Sequence, residues 1–257
     1  MPGPAPAGAP RTLRIDIRTR HGALQGNLAV PPGGMRLAEL AWNAMALDER
    51  LIAMAVKAEA EQGRAVSCAK GCGACCRQAV PVSPAEAWML ADRVTAMPPD
   101  RREEVLARFA AARDRLAAAG FADRSLSGAS RNEMERLGLD YFRLGIPCPF
   151  LADEACSIHP QRPSACREFL AVSPAEHCSD PGNSPVRNVP TAASLTDALS
   201  RVCAAALGGE PTTIPLVLAL EWAVAHREQG AMRFDGAQLL GMLADTLAAS
   251  AAGSRSA

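Results

Sequence analysis

Aromatic residues are scarce in this sequence, at 4% of its 257 residues, and β-branched residues are also few. Strands favour these residue types, so an all-β fold is not expected. Alanine and leucine, which favour helices, are common. Hydrophobic residues reach 49%, which is enough for a packed core rather than a disordered chain. We therefore predict a mainly α-helical protein.

The sequence also lacks a net charge, with 27 Lys and Arg residues against 27 Asp and Glu residues. The sequence has no excess of basic residues, so we expect no nucleic-acid partner. The longest apolar run, 214–225, contains Pro215 and Glu221 and is too short to span a bilayer, so we interpret it as a buried helix and expect no membrane contact. The N-terminus shows no apolar run of signal-peptide length. We therefore expect a cytoplasmic protein, whose thiols stay reduced.

Local patterns divide the chain into segments. Apolar and charged residues alternate from Leu13 to Ile17, which predicts a strand, and a turn at His21-Gly22 or at Gln25-Gly26-Asn27 would complete a short N-terminal β-hairpin. Ser83-Pro84-Ala85-Glu86 is a capping box that predicts a helix start. The predicted helices are 35–62 (with a break near Leu47-Asp48 as an alternative), 84–96, 101–119, 132–144, 192–207, 213–229 and 237–249. The predicted parts are a disordered N-terminus (1–11), the hairpin and first helical segment (12–63), a cysteine-rich domain (64–180), C-terminal helices (181–249) and a disordered tail (250–257).

Two groups of cysteines dominate the middle of the chain. Gly71 and Gly73, inside the first group, are expected to adopt positive φ and let the thiols converge. Each group is large enough to complete a tetrahedral site of four ligands, and nine cysteines in a reducing compartment favour metal over disulfides. Neither loop-rich group has enough apolar residues to fold alone, so we expect the two to meet in space around a metal. The predicted ligands are Cys68, Cys72, Cys75 and Cys76 in the first group and Cys148, Cys156, Cys166 and Cys178 in the second.

Some nearby residues leave alternatives open. His159 and His177 lie within the second group, and either could replace a thiol as ligand or occupy a surface turn. Cys75 and Cys76 are adjacent, so their side chains are expected to diverge, with one of them reaching the distant group or a second ion. Cys203 lies among valine and alanine in a predicted helix and is expected to be a small buried hydrophobe.

Four motifs occur in an order that is specific only as a set. They are Cys68-x3-Cys72-Gly-Ala-Cys75-Cys76, then Cys148-Pro-Phe-Leu, Cys156-Ser-Ile-His and Arg162-Pro-Ser-Ala-Cys166-Arg-Glu-Phe. Together they resemble the YkgJ-type cysteine-cluster family, a zinc- or iron-chelating domain named for a CxxCxxCC motif, over residues 64–180. The first gap holds three residues here, where the family name implies two. The resemblance implies metal binding, with zinc or iron as the cofactor.

The same cysteines also resemble the motifs of two enzyme families. The flagellin lysine methylases have a similar cysteine motif, which implies protein methylation by resemblance, although the sequence shows no glycine-rich methyl-donor site. The spacing of Cys68, Cys72 and Cys75 also matches radical S-adenosylmethionine enzymes. Those enzymes need a parallel β/α barrel, and no alternation of strands and helices follows Cys76.

Charged residues flank Cys166. Arg162, Arg167 and Glu168 could tune a cluster's reduction potential or hold an anion near the sulfurs. The alternative, which we favour, is an Arg–Glu pair that braces a loop.

Three hypotheses follow, from three classes of protein. The first is a cytoplasmic metal-binding protein, in which both cysteine groups chelate zinc or an iron–sulfur cluster. The second is an iron–sulfur enzyme acting in redox chemistry or protein lysine methylation, with another protein as substrate or partner and no catalytic residue assigned. The third is a disulfide-stapled binding protein. The cysteine spacing favours the first, with a helical domain around a loop-rich cysteine metal core.

Overall fold

The computed structural model describes residues 11–69, 71–121 and 131–253. Within these ranges it contains nine α-helices and three two-stranded antiparallel sheets, which confirms the mainly α prediction and the N-terminal hairpin. The helices are α1 (Leu37–Glu61), α2 (Pro84–Thr95), α3 (Pro99–Ala118), α4 (Arg131–Arg143), α5 (Ser164–Glu168), α6 (Leu195–Leu207), α7 (Ala219–Ala225), α8 (Arg227–Ala231) and α9 (Gly236–Gly253). The strands are β1 (Arg11–Thr19), β2 (Gly22–Val30), β3 (Pro81–Val82), β4 (Leu151–Ala152), β5 (Ala155–Cys156) and β6 (Ile214–Pro215).

The hairpin of β1 and β2 turns at Arg20 and His21, one residue before the first predicted position. Gly22 starts β2 with φ of 125°, a conformation that favours glycine. The alternative turn at Gln25-Gly26-Asn27 is wrong, because these residues lie inside β2. Alternation along β1 buries Ile15 and Ile17 on one face of the hairpin.

Helix α1 is continuous over 25 residues, so the alternative of a break near Leu47-Asp48 is wrong. Its apolar face packs with the hairpin, α2, α6 and α9 in the largest hydrophobic cluster. The other side of α2 packs with α3, Phe150 and Ile158 in a second cluster, which Cys148 and Cys156 adjoin. Helix α2 therefore lies between the main core and the cysteine-rich region.

The C-terminal half departs from the predicted helices in two places. The segment predicted as one helix, 213–229, is instead β6, a 3₁₀ helix (Leu216–Leu218), α7 and α8. β6 pairs with β3 just after the first cysteine group, so tertiary pairing overrides the helical pattern. The short helix α5, which carries Cys166, was not predicted.

The predicted ends of the chain need two corrections. Arg11, assigned to the disordered N-terminus, is the first residue of β1, and residues 1–10 lie outside the described residues. Helix α9 extends to Gly253, through the first four residues of the predicted tail, and residues 254–257 lie outside the described residues. Among the helices of the described ranges, none combines the length and apolarity needed to cross a bilayer.

Candidate metal centre

The first cysteine group follows the end of α1. The guanidinium of Arg64 donates to the buried carboxylate of Glu59, at 2.9 Å to Oε1, and fixes the direction in which the chain leaves the helix. Cys68 and Cys72 are exposed, whereas Cys75 and Cys76 are half-buried in a 3₁₀ helix (Ala74–Arg77).

The two glycines of this group act differently. Gly71 has φ of 89°, as predicted. Gly73 has φ of −94°, so its predicted positive φ is wrong. It is needed for space instead, because a Cβ at Gly73 would lie 2.5 Å from Glu154 Oε2 and 3.2 Å from the Glu154 carbonyl oxygen. The first cysteine group thus packs directly against the turn between β4 and β5.

The second group is distributed over short elements. Cys148 precedes β4, and Cys156 ends β5 after a tight turn in which Asp153 and Glu154 have positive φ. Cys166 lies in α5, and Cys178 is buried in a 3₁₀ helix (Ala175–Ser179). No element here is long enough to hold its own position, so contacts with neighbours must do so.

Hydrogen bonds join the two groups at both ends. The Ser67 hydroxyl donates to the carbonyls of Ala171, at 3.1 Å, and Ser173, at 2.6 Å. The Ala171 N–H in turn donates to Cys68 Sγ at 3.3 Å. At the other end, the Cys148 N–H donates to the Cys76 carbonyl at 2.7 Å. The two groups therefore lie against each other although about seventy residues separate them.

The eight predicted ligands border two cavities. The outer cavity, of about 480 Å³, reaches the exposed Cys68 and Cys72, and the inner cavity, of about 40 Å³, is enclosed by apolar side chains that include Phe150 and Ile158. Of the two cavities, Cys68, Cys72 and Cys178 border the outer one alone. Cys148 and Cys166 border the inner one alone. The other three thiols, Cys75, Cys76 and Cys156, border both cavities.

Cys75 and Cys76 both border the two cavities, and the divergence expected of them, with one thiol reaching the distant group or a second ion, stays a prediction. The Cys76 thiol donates a hydrogen bond to Cys75 Sγ, and this bond lowers the pKa of Cys75 to about 6, assisted by the charge of Arg162 and opposed by burial. The same bond raises the pKa of Cys76. Adjacent residues in a 3₁₀ helix thus place both sulfurs at the junction of the two cavities.

Backbone N–H groups point at two sulfurs of the second group. Burial raises the pKa values of Cys148 and Cys156, and hydrogen bonding from the N–H groups of Phe150 and Leu151 for Cys148, and of Ile158 for Cys156, partly offsets this rise. Such bonds stabilise thiolates and orient their lone pairs, as second-shell donors do in metal–thiolate sites.

Burial opposes ionisation of the thiols when no metal is bound. It raises the pKa of Cys148 to about 12 and raises the pKa values of Cys166 and Cys178. Cys166 is half-buried and borders the inner cavity. A metal ion binds thiolates, so it would displace these protons.

The charged residues around Cys166 make different contacts. Arg167 is buried and braces the loop, donating to Glu49 Oε1 at 2.9 Å, to the Arg162 carbonyl at 3.1 Å and to the Pro160 carbonyl. Its acidic partner is Glu49, not Glu168, whose Oε1 accepts from the Leu195 N–H at 2.7 Å. Arg162 borders both cavities, where its charge lowers the pKa of Cys75.

Glu86 has a role that the sequence did not reveal. Its Oε2 accepts from the N–H and hydroxyl of Ser83, which confirms the capping box of α2. Its Oε1 accepts from the Ser164 N–H at 2.8 Å, at the start of α5. One buried carboxylate therefore holds both α2 and the helix that carries Cys166.

The two histidines and the ninth cysteine differ in their position relative to the cavities. His159 is exposed and borders the outer cavity, which keeps it a candidate ligand there. His177 borders neither cavity, and its Nδ1 lies 2.8 Å from the Pro185 carbonyl oxygen, as a surface-turn histidine would. Cys203 is buried in α6, within the main core, as predicted for a small hydrophobe.

The donor set fits zinc or iron in type and number. All nine cysteines are free thiols, and eight of them border the two cavities. Within the described ranges, however, no three His, Cys, Asp or Glu side chains already form a metal-holding group. The ligands are thus brought together without a closed coordination shell.

A third cavity, of about 470 Å³, borders Cys75 and Cys166 as well. Its lining includes the polar residues Gln78, Asn188 and Thr191. Its volume is that of a pocket for a small organic molecule.

Comparison with known proteins identifies the cysteine-rich region. Residues 67–181 match the model of the CxxCxxCC family, which is described as "Putative zinc- or iron-chelating domain". The match spans all eight predicted ligands and confirms the resemblance found in the sequence. Searches of curated proteins and of solved structures gave no match to this chain.

Proposed function

Because residues 67–181 belong to the CxxCxxCC family of zinc- or iron-chelating domains, we propose that this chain is a cytoplasmic metal-binding protein whose eight clustered thiols are the ligands. One observation carries the proposal: two cysteine groups that are distant in sequence border the same cavities. Bound zinc or iron would supply a Lewis-acidic or redox-active centre. The chain's own residues supply the thiolates, the backbone donors to sulfur and the Arg162 charge that offsets them.

Metal analysis with a visible absorption spectrum, on protein purified without oxygen, tests this proposal. We expect zinc or iron at about one equivalent or more, because four thiolates complete one site. Cys203→Ser is the matched control, since Cys203 lies away from the cavities, and it should keep the full metal content. Less than about half an equivalent of any metal in the parent protein would overturn the proposal.

A second candidate is an iron–sulfur enzyme acting in redox chemistry or protein lysine methylation. The observation that favours it is the third cavity, which has the volume of a substrate pocket and borders two thiols of the centre. A brown protein that contains iron and acid-labile sulfide would support this candidate. Methyl-transfer and redox assays would then follow, and a colourless zinc protein would exclude it.

A further inference from the structure

The third cavity, of about 470 Å³, gives one face of the thiol centre a wide opening. It borders Cys75 and Cys166 but neither Cys68 nor Cys72. The inner cavity, which also borders Cys166, holds only about 40 Å³, so the third cavity is the broader approach to that thiol. Its volume lies within the range of about 300–1,000 Å³ that is typical of sites for small organic molecules. The third cavity thus has the volume and the position of a ligand site beside the centre.

One wall of the third cavity is held from two sides. The Arg20 guanidinium, at the turn of the N-terminal hairpin, donates to the carbonyls of Pro190, at 3.1 Å, and Thr191, at 3.2 Å. The Val189 N–H donates to the Leu170 carbonyl at 2.7 Å. Contacts within the protein therefore fix this wall before a ligand arrives.

A second wall follows the 3₁₀ helix of Cys75 and Cys76. The Gln78 N–H donates to the Cys75 carbonyl at 3.1 Å. The Val80 carbonyl accepts from the Leu216 N–H at 2.9 Å, next to the pairing of β3 with β6. Because both walls are already ordered, binding of a ligand would cost little conformational entropy.

The charges around the third cavity disfavour ionic ligands. Among the described residues that line it, none is Arg, Lys or His, so an anion finds no opposite charge. The carboxylate in this lining, that of Glu168, is already bonded to the Leu195 N–H, at 2.7 Å, and to the Ser194 side chain. A cation would have to compete with both bonds. An uncharged ligand avoids the cost of burying an unpaired charge.

Three polar side chains in the lining are available to a ligand. The amides of Gln78 and Asn188 and the hydroxyl of Thr191 form no hydrogen bond with any other described residue. Each of these groups can both donate and accept a hydrogen bond. The apolar part of the lining includes Val80, Pro81, Phe169, Val189 and Pro190.

We propose that the third cavity binds a small, uncharged organic molecule that carries an amide or hydroxyl group on an apolar body. The polar group pairs with the side chains of Gln78, Asn188 and Thr191, and the apolar body lies against Phe169. The ligand thereby covers the Cys75 and Cys166 face of the thiol centre. The inference rests on the proposed function only in that the centre beside the ligand holds a metal.

Saturation-transfer NMR on metal-loaded full-length protein tests the chemical class of the ligand. The probes are hexanamide, hexanoate and hexylammonium, which share a chain length and differ in charge. We expect hexanamide to bind with a dissociation constant of about 10 mM or lower, and the two ions to bind at least about tenfold more weakly. Either ion binding as tightly as hexanamide, or no hexanamide binding at about 50 mM, would overturn the inference.

Substitutions in the lining test the location of the site. Gln78→Ala and Asn188→Ala should each raise the dissociation constant of hexanamide about two- to tenfold, as expected for the loss of one hydrogen bond. Ala79→Phe should abolish binding, because the added ring fills the cavity. The control is Gln238→Ala, at an exposed glutamine on α9, which should bind hexanamide like the parent protein. Equal affinities in all four variants would contradict the inference.

A measurement without variants holds even if a substitution prevents folding. The photoreactive amide 4,4-azipentanamide should cross-link to residues 78–81, 165–169 and 188–191, and excess hexanamide should suppress this labelling. Labelling confined to other segments would overturn the inference. Metal analysis of the same samples separates the two proposals. Metal without amide binding overturns the inference alone, whereas amide binding without metal overturns the proposed function alone.

Discussion

The guanidinium of Arg77 donates two hydrogen bonds, of 3.0 and 2.6 Å, to the carboxylate of Glu154. Arg77 ends the 3₁₀ helix of Cys75 and Cys76, and Glu154 lies two residues before Cys156. Paired Arg–carboxylate bonds fix geometry better than a single contact. This ion pair therefore sets the distance between a thiol pair of the first group and a thiol of the second.

We predict that Glu154→Gln weakens metal binding more than it weakens the fold. The pair is exposed at the surface, so the free energy of unfolding should change little. The metal dissociation constant should rise up to about tenfold, as for supporting residues of metal sites. Chelator competition measures this, with Asp197→Asn, which removes the Arg201 pair on α6, as the control. Equal dissociation constants for the two variants would contradict the prediction.

Gly73→Ala should disturb the centre more severely. The added Cβ would meet Glu154 and come within 3.0 Å of Leu151 Cδ1, so the two cysteine groups would have to separate. We expect a loss of about 1–3 kcal/mol in unfolding free energy, typical of overpacking, together with weaker metal retention. Gly241→Ala is the control, because a Cβ there meets nothing within 4 Å and alanine favours the helix. Thermal melts that rank Gly241→Ala as the less stable variant would refute this.

Two capping-box glutamates offer a matched comparison. Glu86 is buried and also accepts from Ser164 N–H, whereas Glu39, with Arg36 at the start of α1, is partly exposed. We predict that Glu86→Ala costs about 2–4 kcal/mol of unfolding free energy, since it strands buried donors, and Glu39→Ala about 1 kcal/mol. Chemical denaturation measures both. Iodoacetamide should also reach Cys166 faster in Glu86→Ala, and an unchanged rate would argue that Glu86 does not hold α5.

The sequence was sufficient to predict the secondary structure where the pattern was strong. The alternation through Ile15 and Ile17 and the capping box at Ser83 both predicted elements that the structure contains. The eight ligands were chosen by residue type and spacing, which chemistry determines locally.

Other features depend on tertiary contacts and could not be predicted. Gly73 has an ordinary φ, and its role is visible only because Glu154 packs against it. Glu86 was recognised as a cap of α2, but its bond to Ser164 joins residues 78 positions apart. Pro215 lies in β6 rather than a helix because β3 provides a pairing partner.

Asp48 makes the stability of the fold depend on pH. It is buried in α1, its Oδ2 has no hydrogen-bond partner, and Arg167, Glu86, Glu168 and Glu49 are the charged groups around it. Burial raises the pKa of Asp48 to about 7, against the attraction of Arg167. The folded state therefore holds a proton that the unfolded state has lost, so stability is greatest below the ordinary aspartate pKa and falls as pH rises towards 7.

Asp48→Asn should reduce this dependence, and the part that remains belongs to Glu168, whose pKa burial raises to about 8. At about pH 8 we expect the variant to exceed the parent protein in unfolding free energy by about 1–3 kcal/mol, and at about pH 4 the two should be similar. Denaturant midpoints at both pH values measure the difference. Asp245→Asn, at an exposed position on α9, is the control and should follow the parent. A variant that is less stable than the parent at pH 8 would show that the Asp48 carboxylate is stabilising.

Metal removal should loosen one region of the chain before the rest. The main core of the hairpin, α1, α6 and α9 is a large hydrophobic cluster that contains none of the eight ligands. The cysteine-rich elements are short, and their positions depend on contacts between the two groups. With a chelator, amide hydrogen exchange should therefore accelerate in residues 67–78 and 148–180 and change little in α9.

The same experiment has an internal comparison. Exchange in the 3₁₀ helix of Cys178 and around Cys68 should accelerate together with exchange in β4, β5 and α5, because hydrogen bonds join the two cysteine groups at both ends. The melting temperature should fall when the metal is removed, because metal binding is coupled to folding. Equal melting temperatures with and without chelator would show that the metal adds nothing to the stability of the fold. A uniform change across all elements would show that the cysteine-rich region and the main core unfold as one unit.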